Sequence, residues 1–310
     1  MADAVNPLRV GVIGTGALGR HHVRIMAELD EADLVGVLDL RRDVAEDLAR
    51  QHGTKAMESL DELAGSVEAA IVAVPTVDHL SVAGRLLDRG VHVLVEKPIA
   101  PSLDEADAML DRAGDRVLAV GHVEFYNPAV QALMSVDGSP GYVEVERLAE
   151  FTPRSLDVDV VLDLMIHDLQ ILHALDASPI REIRATGVRV LTDRIDMANV
   201  RLEFESGCVA NVTASRVSAE RSRKLRMFLR DSYYSLDYQE QQVKGFELVA
   251  SDTDRAIRPV LLPIESAEPL KAEARHFLAA CRGEEVSFVS GQQGRRALST
   301  ALEILSAIES

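Results

Sequence analysis

The chain has 310 residues, 47% of them hydrophobic, which is enough apolar material for two packed domains. Its formal charge of −17 argues against a nucleic-acid partner, because phosphate backbones are bound by basic surfaces. No apolar run is long enough to span a bilayer, and the N-terminus does not have the pattern of a signal peptide. Two cysteines make neither a disulfide framework nor a metal site. We therefore expect a cytoplasmic protein without membrane or metal partners.

The first 121 residues alternate short apolar runs with amphipathic stretches. The apolar runs are rich in valine, as buried parallel strands are, and cover 8–14, 32–39, 69–75, 91–98 and 116–122. Helical patterns lie between them at 17–29, 43–52, 77–88 and 103–112. This alternation predicts an α/β Rossmann domain, a doubly wound parallel sheet, over residues 1–121.

The pattern changes after Asn127-Pro128, which we interpret as a helix N-cap followed by proline at the first helical position. Strand-like runs then follow one another at 142–151, 183–191, 199–204, 208–216, 224–229, 233–238 and 242–249, before helical patterns at 268–281 and 291–308. They predict an α+β domain over 122–310 with a large open, mostly antiparallel sheet. We expect a second subunit to cover the exposed sheet face, in a homodimer or homotetramer.

A glycine-rich loop follows the first predicted strand and opens the first predicted helix. Its residues are Gly14, Thr15, Gly16, Ala17, Leu18 and Gly19. Glycines there allow a tight turn and let backbone amides approach a pyrophosphate at the positive end of the helix. Asp39 lies 20 residues beyond Gly19, at the end of the second strand, where a carboxylate accepts hydrogen bonds from a ribose. The sequence therefore predicts a dinucleotide site.

Asp39 also bears on which dinucleotide binds. A carboxylate about 4 Å from a 2′-phosphate would cost about 4 kcal/mol per charge pair at an effective dielectric constant of about 20. Arg41 and Arg42 follow and could hold such a phosphate, or could simply begin the next helix at the surface. We favour NAD over NADP.

Glu96-Lys97-Pro98 ends a predicted strand, at the sheet edge where open α/β folds bind their ligands. Lys97 would lie near the nicotinamide and stabilise negative charge on a substrate oxygen. The alternative is a lysine that ends its strand in solvent.

Residues 158–169 form a helical stretch that is apolar nearly all round, which predicts burial. Asp163 and His167, four residues apart, would share one face of it. Buried ionisable groups are costly unless they are paired or used, so the pair is a structural ion pair or a functional site. A histidine suits removal of a hydroxyl proton at neutral pH, and Asp163 could orient the histidine or contact the substrate.

The segments GVIGTGALGRHH, VLVEKPIA, GHVEFYNPA and DLMIHDLQ, in this order, resemble the Gfo/Idh/MocA oxidoreductases over essentially the whole chain. The resemblance implies sugar, inositol or nucleotide-sugar substrates. It also implies catalytic roles for Lys97, Asp163 and His167, and places His79 near the cofactor together with Pro75 and Glu96.

Within the family, GHVE…NPA and DVDVVLDLMIHD most resemble segments of enzymes that oxidise the C3 hydroxyl of UDP-N-acetylglucosamine. Phe125 departs from that resemblance, which would have arginine there, so another cation must contact the diphosphate. Arg154 is our candidate, and Tyr126 could stack on the uracil or pack in the core. A second set of cations is better explained as a solvated strand face or a dimer contact, and comprises Arg216, Arg221, Arg223, Lys224 and Arg226.

Two other functions stay open at this point. One is a dehydrogenase of free inositol or hexose, which differs in having no use for a UDP group. The other is a non-catalytic NAD-binding regulatory protein, which would have no need of Lys97, Asp163 and His167 together.

Overall fold

A computed structural model describes residues 6–152, 158–250 and 255–309 of the chain. These residues form two compact units. The first comprises the chain up to His122 together with Leu270–Arg295, and the second comprises Val123–Pro269 together with the chain from Arg296 onward. The sequence boundary assigns everything beyond residue 121 to the second domain, whereas the structure places Leu270–Arg295 in the first unit. Within the described ranges, no helix is both long and apolar enough to cross a membrane.

Six parallel strands form the sheet of the first unit. In chain order they are β1 (Leu8–Ile13), β2 (Ala32–Leu38), β3 (Lys55–Ala56), β4 (Ala69–Val72), β5 (His92–Glu96) and β6 (Leu118–Gly121). Their spatial order is β3-β2-β1-β4-β5-β6, with every pairing parallel. This is the order of a doubly wound sheet, which binds ligands at the carboxyl ends of its strands. The predicted fold class of this unit is confirmed.

Five helices follow the strands of this unit: α1 (Gly19–Glu28), α2 (Arg42–His52), α3 (Leu60–Ser66), α4 (His79–Asp88) and α5 (Leu103–Ala113). Ser59 and Ser102 begin α3 and α5, and each hydroxyl oxygen accepts the backbone N–H three residues ahead. Neither β3 nor α3 was predicted. Both are short, and α3 has only about two turns in which to show a helical period.

Eight strands form the sheet of the second unit. They are β7 (Tyr142–Leu148), β8 (Ile180–Val188), β9 (Met197–Phe204), β10 (Val209–Ser215), β11 (Ser222–Phe228), β12 (Ser232–Asp237), β13 (Gln242–Ala250) and β14 (Arg255–Leu261). Their order is β14-β13-β12-β11-β7-β10-β9-β8, and only the β7–β10 pairing is parallel. The predicted open, mostly antiparallel sheet is confirmed. We did not predict β14, whose side chains are mostly exposed and therefore carry no alternation.

Two helices, α6 (Pro128–Met134) and α7 (Ile166–Leu175), contribute to the core of the second unit. The predicted cap of α6 is confirmed, because the Asn127 side chain accepts the N–H of Ala129 at 3.0 Å. Residues Val161–Met165, directly before α7, form a π-helical turn. Such turns are rare and frequently lie at functional sites.

The chain ends in α8 (Pro269–Cys281) and α9 (Gly291–Glu309). In α8, Ala274, Phe277 and Leu278 are fully buried in the core of the first unit. In α9, residues such as Ala301 and Ile304 are buried in the core of the second unit. The two terminal helices therefore serve different cores, although they follow one another in the sequence.

Candidate active site

The glycine loop contains two glycines that the fold itself requires. Gly14 has φ +86°, and a Cβ atom there would lie 2.4 Å from the carbonyl oxygen of Ala73. A Cβ atom on Gly19 would lie 1.8 Å from the carbonyl oxygen of Gly14. Gly16 is different, because no described atom lies within 4 Å of the place its Cβ would take. The loop therefore leaves an open space over Gly16, which fits the close approach of a pyrophosphate.

The N-terminus of α1 is also suited to an anion. Its first turn carries no acidic side chain, and Leu18 at the N-cap makes no side-chain capping bond. The positive end of the helix dipole is therefore not neutralised by the chain itself. Beside it, Ala17 and Leu18 are exposed and Thr15 is buried.

Asp39 lies just beyond β2 and binds the glycine loop. One oxygen of its carboxylate accepts the backbone N–H and the hydroxyl of Thr15 at 2.7 and 2.8 Å. The other accepts the backbone N–H of Arg41 at 2.9 Å and its side chain at 3.3 Å. Burial alone would raise the pKa of Asp39, but these hydrogen bonds outweigh it and lower the pKa to about 2. The carboxylate is therefore fully ionised at neutral pH.

His79 connects two loops at the same edge of the sheet. Its Nδ1 lies 3.1 Å from the carbonyl oxygens of Pro98 and Ile99, and its Nε2 lies 3.1 Å from that of Val74. Burial lowers its pKa, although the neighbouring carbonyl oxygens oppose this. The ring thus joins the segment after β4, which includes the exposed Pro75, to the segment after β5. Its proximity to a cofactor stays a prediction.

Lys97 follows β5 and is half-buried. The backbone N–H of Lys97 donates to the Glu96 carboxylate at 3.3 Å, and His22 contacts the same carboxylate at 2.7 Å. His122, just beyond the neighbouring β6, is fully buried, and its pKa is lowered to about 3 by burial and by the charge of Lys97. The imidazole therefore stays neutral and adds no second positive charge beside the ammonium.

Asp163 and His167 lie on the π-helical turn and the start of α7, and both are half-buried. The sequence predicted burial for this pair, and the fully buried acid is instead the next residue, Asp168. The π turn, in which the Ile166 N–H reaches the carbonyl of Val161, rotates the later side chains relative to a regular α-helix. The helix thus presents His167 and Asp168 to different surroundings.

Asp168 accepts two hydrogen bonds from Arg147 on β7, at 2.6 and 2.8 Å. Arg147 also donates to Glu124 at 2.9 Å, and the Tyr238 hydroxyl donates to Asp168 at 3.3 Å. We did not predict this network, but a signal for it exists in the sequence. Val143, Val145 and Arg147 alternate along β7 and all face inward, so strand period alone places the arginine in the core.

The other two residues predicted to contact the substrate are Arg154 and Tyr126. Arg154 lies outside the described residues. Tyr126 is 2% exposed and packs edge-on against Phe125, with ring centroids 5.2 Å apart.

Among the second set of cations, Arg216 is buried, and its guanidinium lies 2.8 Å from the Asp196 carboxylate rather than on a solvated strand face. Arg226 pairs with Glu144 at 2.7 Å on the sheet surface.

Comparison with known proteins gives the family. Residues 8–122 match the model described as "Oxidoreductase family, NAD-binding Rossmann fold", and residues 108–232 match the "GFO/IDH/MocA C-terminal domain". A UDP-N-acetylglucosamine 3-dehydrogenase from Acidithiobacillus ferrooxidans is 38% identical over 307 residues, 97% of each chain. A solved structure of that enzyme has a TM-score of 0.92 and covers 98% of both chains.

Two other proteins have lower sequence identity to this chain. A myo-inositol 2-dehydrogenase from Thermotoga maritima is 25% identical and covers 94% of this chain and 93% of its own. A levoglucosan dehydrogenase, solved in complex with NADH and levoglucosan, is 18% identical with a TM-score of 0.86 over 98% of both chains. The latter similarity establishes a common fold.

The open space over Gly16 leads to a prediction. Gly16→Ala should fold with an unchanged melting temperature, because the added methyl contacts no described atom. It should weaken NADH binding at least ~10-fold, because the methyl takes space that the pyrophosphate needs. Thermal denaturation and NADH fluorescence titration measure the two effects. Gly65→Ala, also in open space but on α3, is the matched control and should bind NADH normally. Equal affinities for both variants would contradict the assignment of the loop.

Proposed function

The chain belongs to the Gfo/Idh/MocA oxidoreductase family, and we propose that it oxidises the C3 hydroxyl of UDP-N-acetylglucosamine with NAD as hydride acceptor. The observation that carries the substrate is 38% identity to a UDP-N-acetylglucosamine 3-dehydrogenase over 97% of both chains. The first unit supplies the dinucleotide site in this proposal, and the second supplies groups for the sugar nucleotide.

Three side chains perform the chemistry in this proposal. His167 removes the proton of the C3 hydroxyl, and the ammonium of Lys97 stabilises the negative charge that develops on the oxygen. Asp163 orients the imidazole or contacts a neighbouring hydroxyl. The nicotinamide, when bound, accepts the hydride from C3. The neutral His122 supports the role of Lys97, because a second cation beside the ammonium would disfavour its charge.

NAD is the proposed cofactor because Asp39 is ionised where an adenosine 2′-phosphate would lie. The two arginines that could offset this charge have acidic partners of their own. Arg41 binds Asp39 itself, and Arg42 is paired with Glu46 and Glu58. A 2′-phosphate would therefore meet a carboxylate, and both of these arginines already have acidic partners with which it would compete.

The substrate is tested by following NADH formation at 340 nm with UDP-sugars, free hexoses and inositols. We expect turnover with UDP-N-acetylglucosamine, loss of turnover in Lys97→Ala by about 100-fold or more, and NAD binding that persists in that variant. Lys55→Ala, an exposed lysine at the edge of the same sheet, is the control and should keep full activity. Preference for a free inositol would select the alternative dehydrogenase function. NAD binding without oxidation of any sugar would select the regulatory one.

Cofactor choice is tested at Asp39. Asp39→Ser removes the charge that repels a 2′-phosphate, so kcat/KM for NADP relative to NAD should rise at least ~10-fold. Absolute NAD efficiency should fall, since the ribose contact and the bonds to Thr15 are lost as well. Asp43→Ser removes an exposed acid in the first turn of α2 and should leave the ratio unchanged. An unaltered ratio in Asp39→Ser would refute the selection of NAD by this carboxylate.

A homo-oligomer is also proposed, because an aromatic row crosses the outer face of the second sheet. Its members stand opposite one another on β7, β11, β12 and β13: Tyr142, Phe228, Tyr233 and Phe246. Phe246 is 53% exposed, and such an apolar face is stabilised when a second copy covers it.

Light scattering should give a dimer or tetramer for the wild-type protein and a smaller species for Phe246→Asp, because the carboxylate would be desolvated in the interface. Leu191→Asp, at an exposed leucine elsewhere in the same unit, should not change the mass. A monomeric wild-type protein at micromolar concentration would reject the proposal.

A further inference from the structure

Three buried ionisable side chains meet beneath the segment that carries Lys97. They are His22 on α1, Glu96 at the end of β5 and Glu273 on α8, with relative exposures of 0%, 7% and 0%. Each offers an oxygen or nitrogen within 4.8 Å of those of the other two. All three belong to the first unit, and Glu273 reaches it from a helix that lies about 170 residues further along the chain. None of the proposed catalytic steps uses Glu273.

The two carboxylates have different surroundings. Glu96 contacts the Nε2 of His22 at 2.7 Å and accepts the backbone N–H of Lys97 at 3.3 Å, and both contacts favour a charged carboxylate. Glu273 is fully buried, and within the described ranges neither of its oxygens has a hydrogen-bond partner. Two ionised carboxylates this close in a site closed to water repel each other strongly. One of them must therefore be neutral.

We propose that Glu273 is the neutral member of this pair, and that by holding a proton it lets the charged Glu96 anchor His22 and the backbone of Lys97. Glu273 is thus a positioning residue for Lys97, a role that rests on the function proposed above for that lysine. Burial and the charge of Glu96 raise the pKa of Glu273 well above its ordinary value, as this assignment requires.

A divalent cation held by the same three groups is less consistent with the geometry. The His22 nitrogen and the Glu96 oxygen that would bind it are 2.7 Å apart and hydrogen-bonded to each other. Ligand atoms on one metal are both directed at the ion and do not share a proton. A Cβ on Gly121 would lie 2.9 Å from a Glu96 oxygen, so the carboxylate is also closely packed from the β6 side.

The proton on Glu273 has a measurable consequence for stability. An acid whose pKa is raised by folding binds more protons in the folded than in the unfolded chain. The contribution of Glu273 to the free energy of unfolding is therefore complete below its pKa in the unfolded chain, about 4.3. It decreases as the pH rises from there toward the pKa of Glu273 in the folded protein. Among the described histidines, cysteines and acids, those that offer a ligand atom within 4.8 Å of the Glu273 carboxylate are His22 from α1 and Glu96 from the end of β5, and Glu96 is the charge that acts on its pKa.

Glutamine at position 273 has the shape of a neutral glutamic acid and does not titrate. Glu273→Gln should therefore match the wild type in melting temperature at pH 4 and exceed it by about 3 °C or more at pH 8.5. Glu303→Gln, at an exposed glutamate of α9, should run parallel to the wild type at every pH. Parallel curves for Glu273→Gln and the wild type would overturn the proposal, as would a stoichiometric divalent cation found by elemental analysis of the purified protein.

The positioning role has its own readout. Glu273→Gln should keep the wild-type kcat at pH 7 and should lose less kcat than the wild type as the pH rises toward the folded pKa of Glu273, because glutamine cannot ionise beside Glu96. Superimposable profiles of kcat against pH for Glu273→Gln and the wild type would reject the positioning role while leaving the function of Lys97 intact. If no sugar nucleotide is oxidised, the proposed function fails, and the melting curves still decide where the proton resides.

Discussion

A buried charge must be compensated by hydrogen bonds or by a partner, and this constraint organises both units of the protein. In the first unit the buried acid that needs such partners is Glu96, at the end of a parallel strand. Its carboxylate contacts the ring of His22 and the backbone N–H of Lys97, and the backbone of Gly121 packs against it. The direction in which the chain leaves β5 is therefore defined by a side chain that solvent hardly reaches.

The second unit meets the same constraint with a larger set of groups. Asp168 and Arg147 are almost completely buried and form two hydrogen bonds with each other, Arg147 forms a third with Glu124, and Asp168 accepts another from Tyr238. Removing one partner from such a pair typically costs about 3–5 kcal/mol, because the other charge is left buried without compensation. The cost keeps α7 attached to β7 in a single arrangement.

In both units, a half-buried side chain lies next in sequence to a buried acid. Lys97 follows the buried Glu96 in the chain, and His167 precedes the buried Asp168. In both cases a half-buried side chain that we propose to be catalytic is joined by one peptide bond to an acid whose side chain is held on several sides. A reactive side chain needs access to its substrate and cannot be packed tightly itself, so its backbone must be held through a neighbour.

Much of this protein could be predicted from local patterns. Valine-rich runs, the glycine loop and period-two alternation identified both fold classes, because strand burial and tight turns depend on residues that are close in the chain. The same patterns identified Asp39, whose spacing from the loop is set by one βαβ unit. The short β3 and α3 and the exposed β14 were missed because they offer too little periodicity to detect.

Only the tertiary structure showed which acidic side chains are buried and which groups they contact. The reason is that the contacting residues lie far apart in the sequence. Nothing near Glu273 indicates that α8 returns to the first unit and places a carboxyl beside Glu96. The sequence predicted that Asp163 and His167 are both buried, whereas the structure leaves both half-buried and buries Asp168, whose partner Arg147 lies on a strand about 20 residues earlier in the chain. Sequence by itself determined which elements form and which residue types could react. Only the folded chain determined which acids lose contact with water, because that depends on side chains brought together from remote segments.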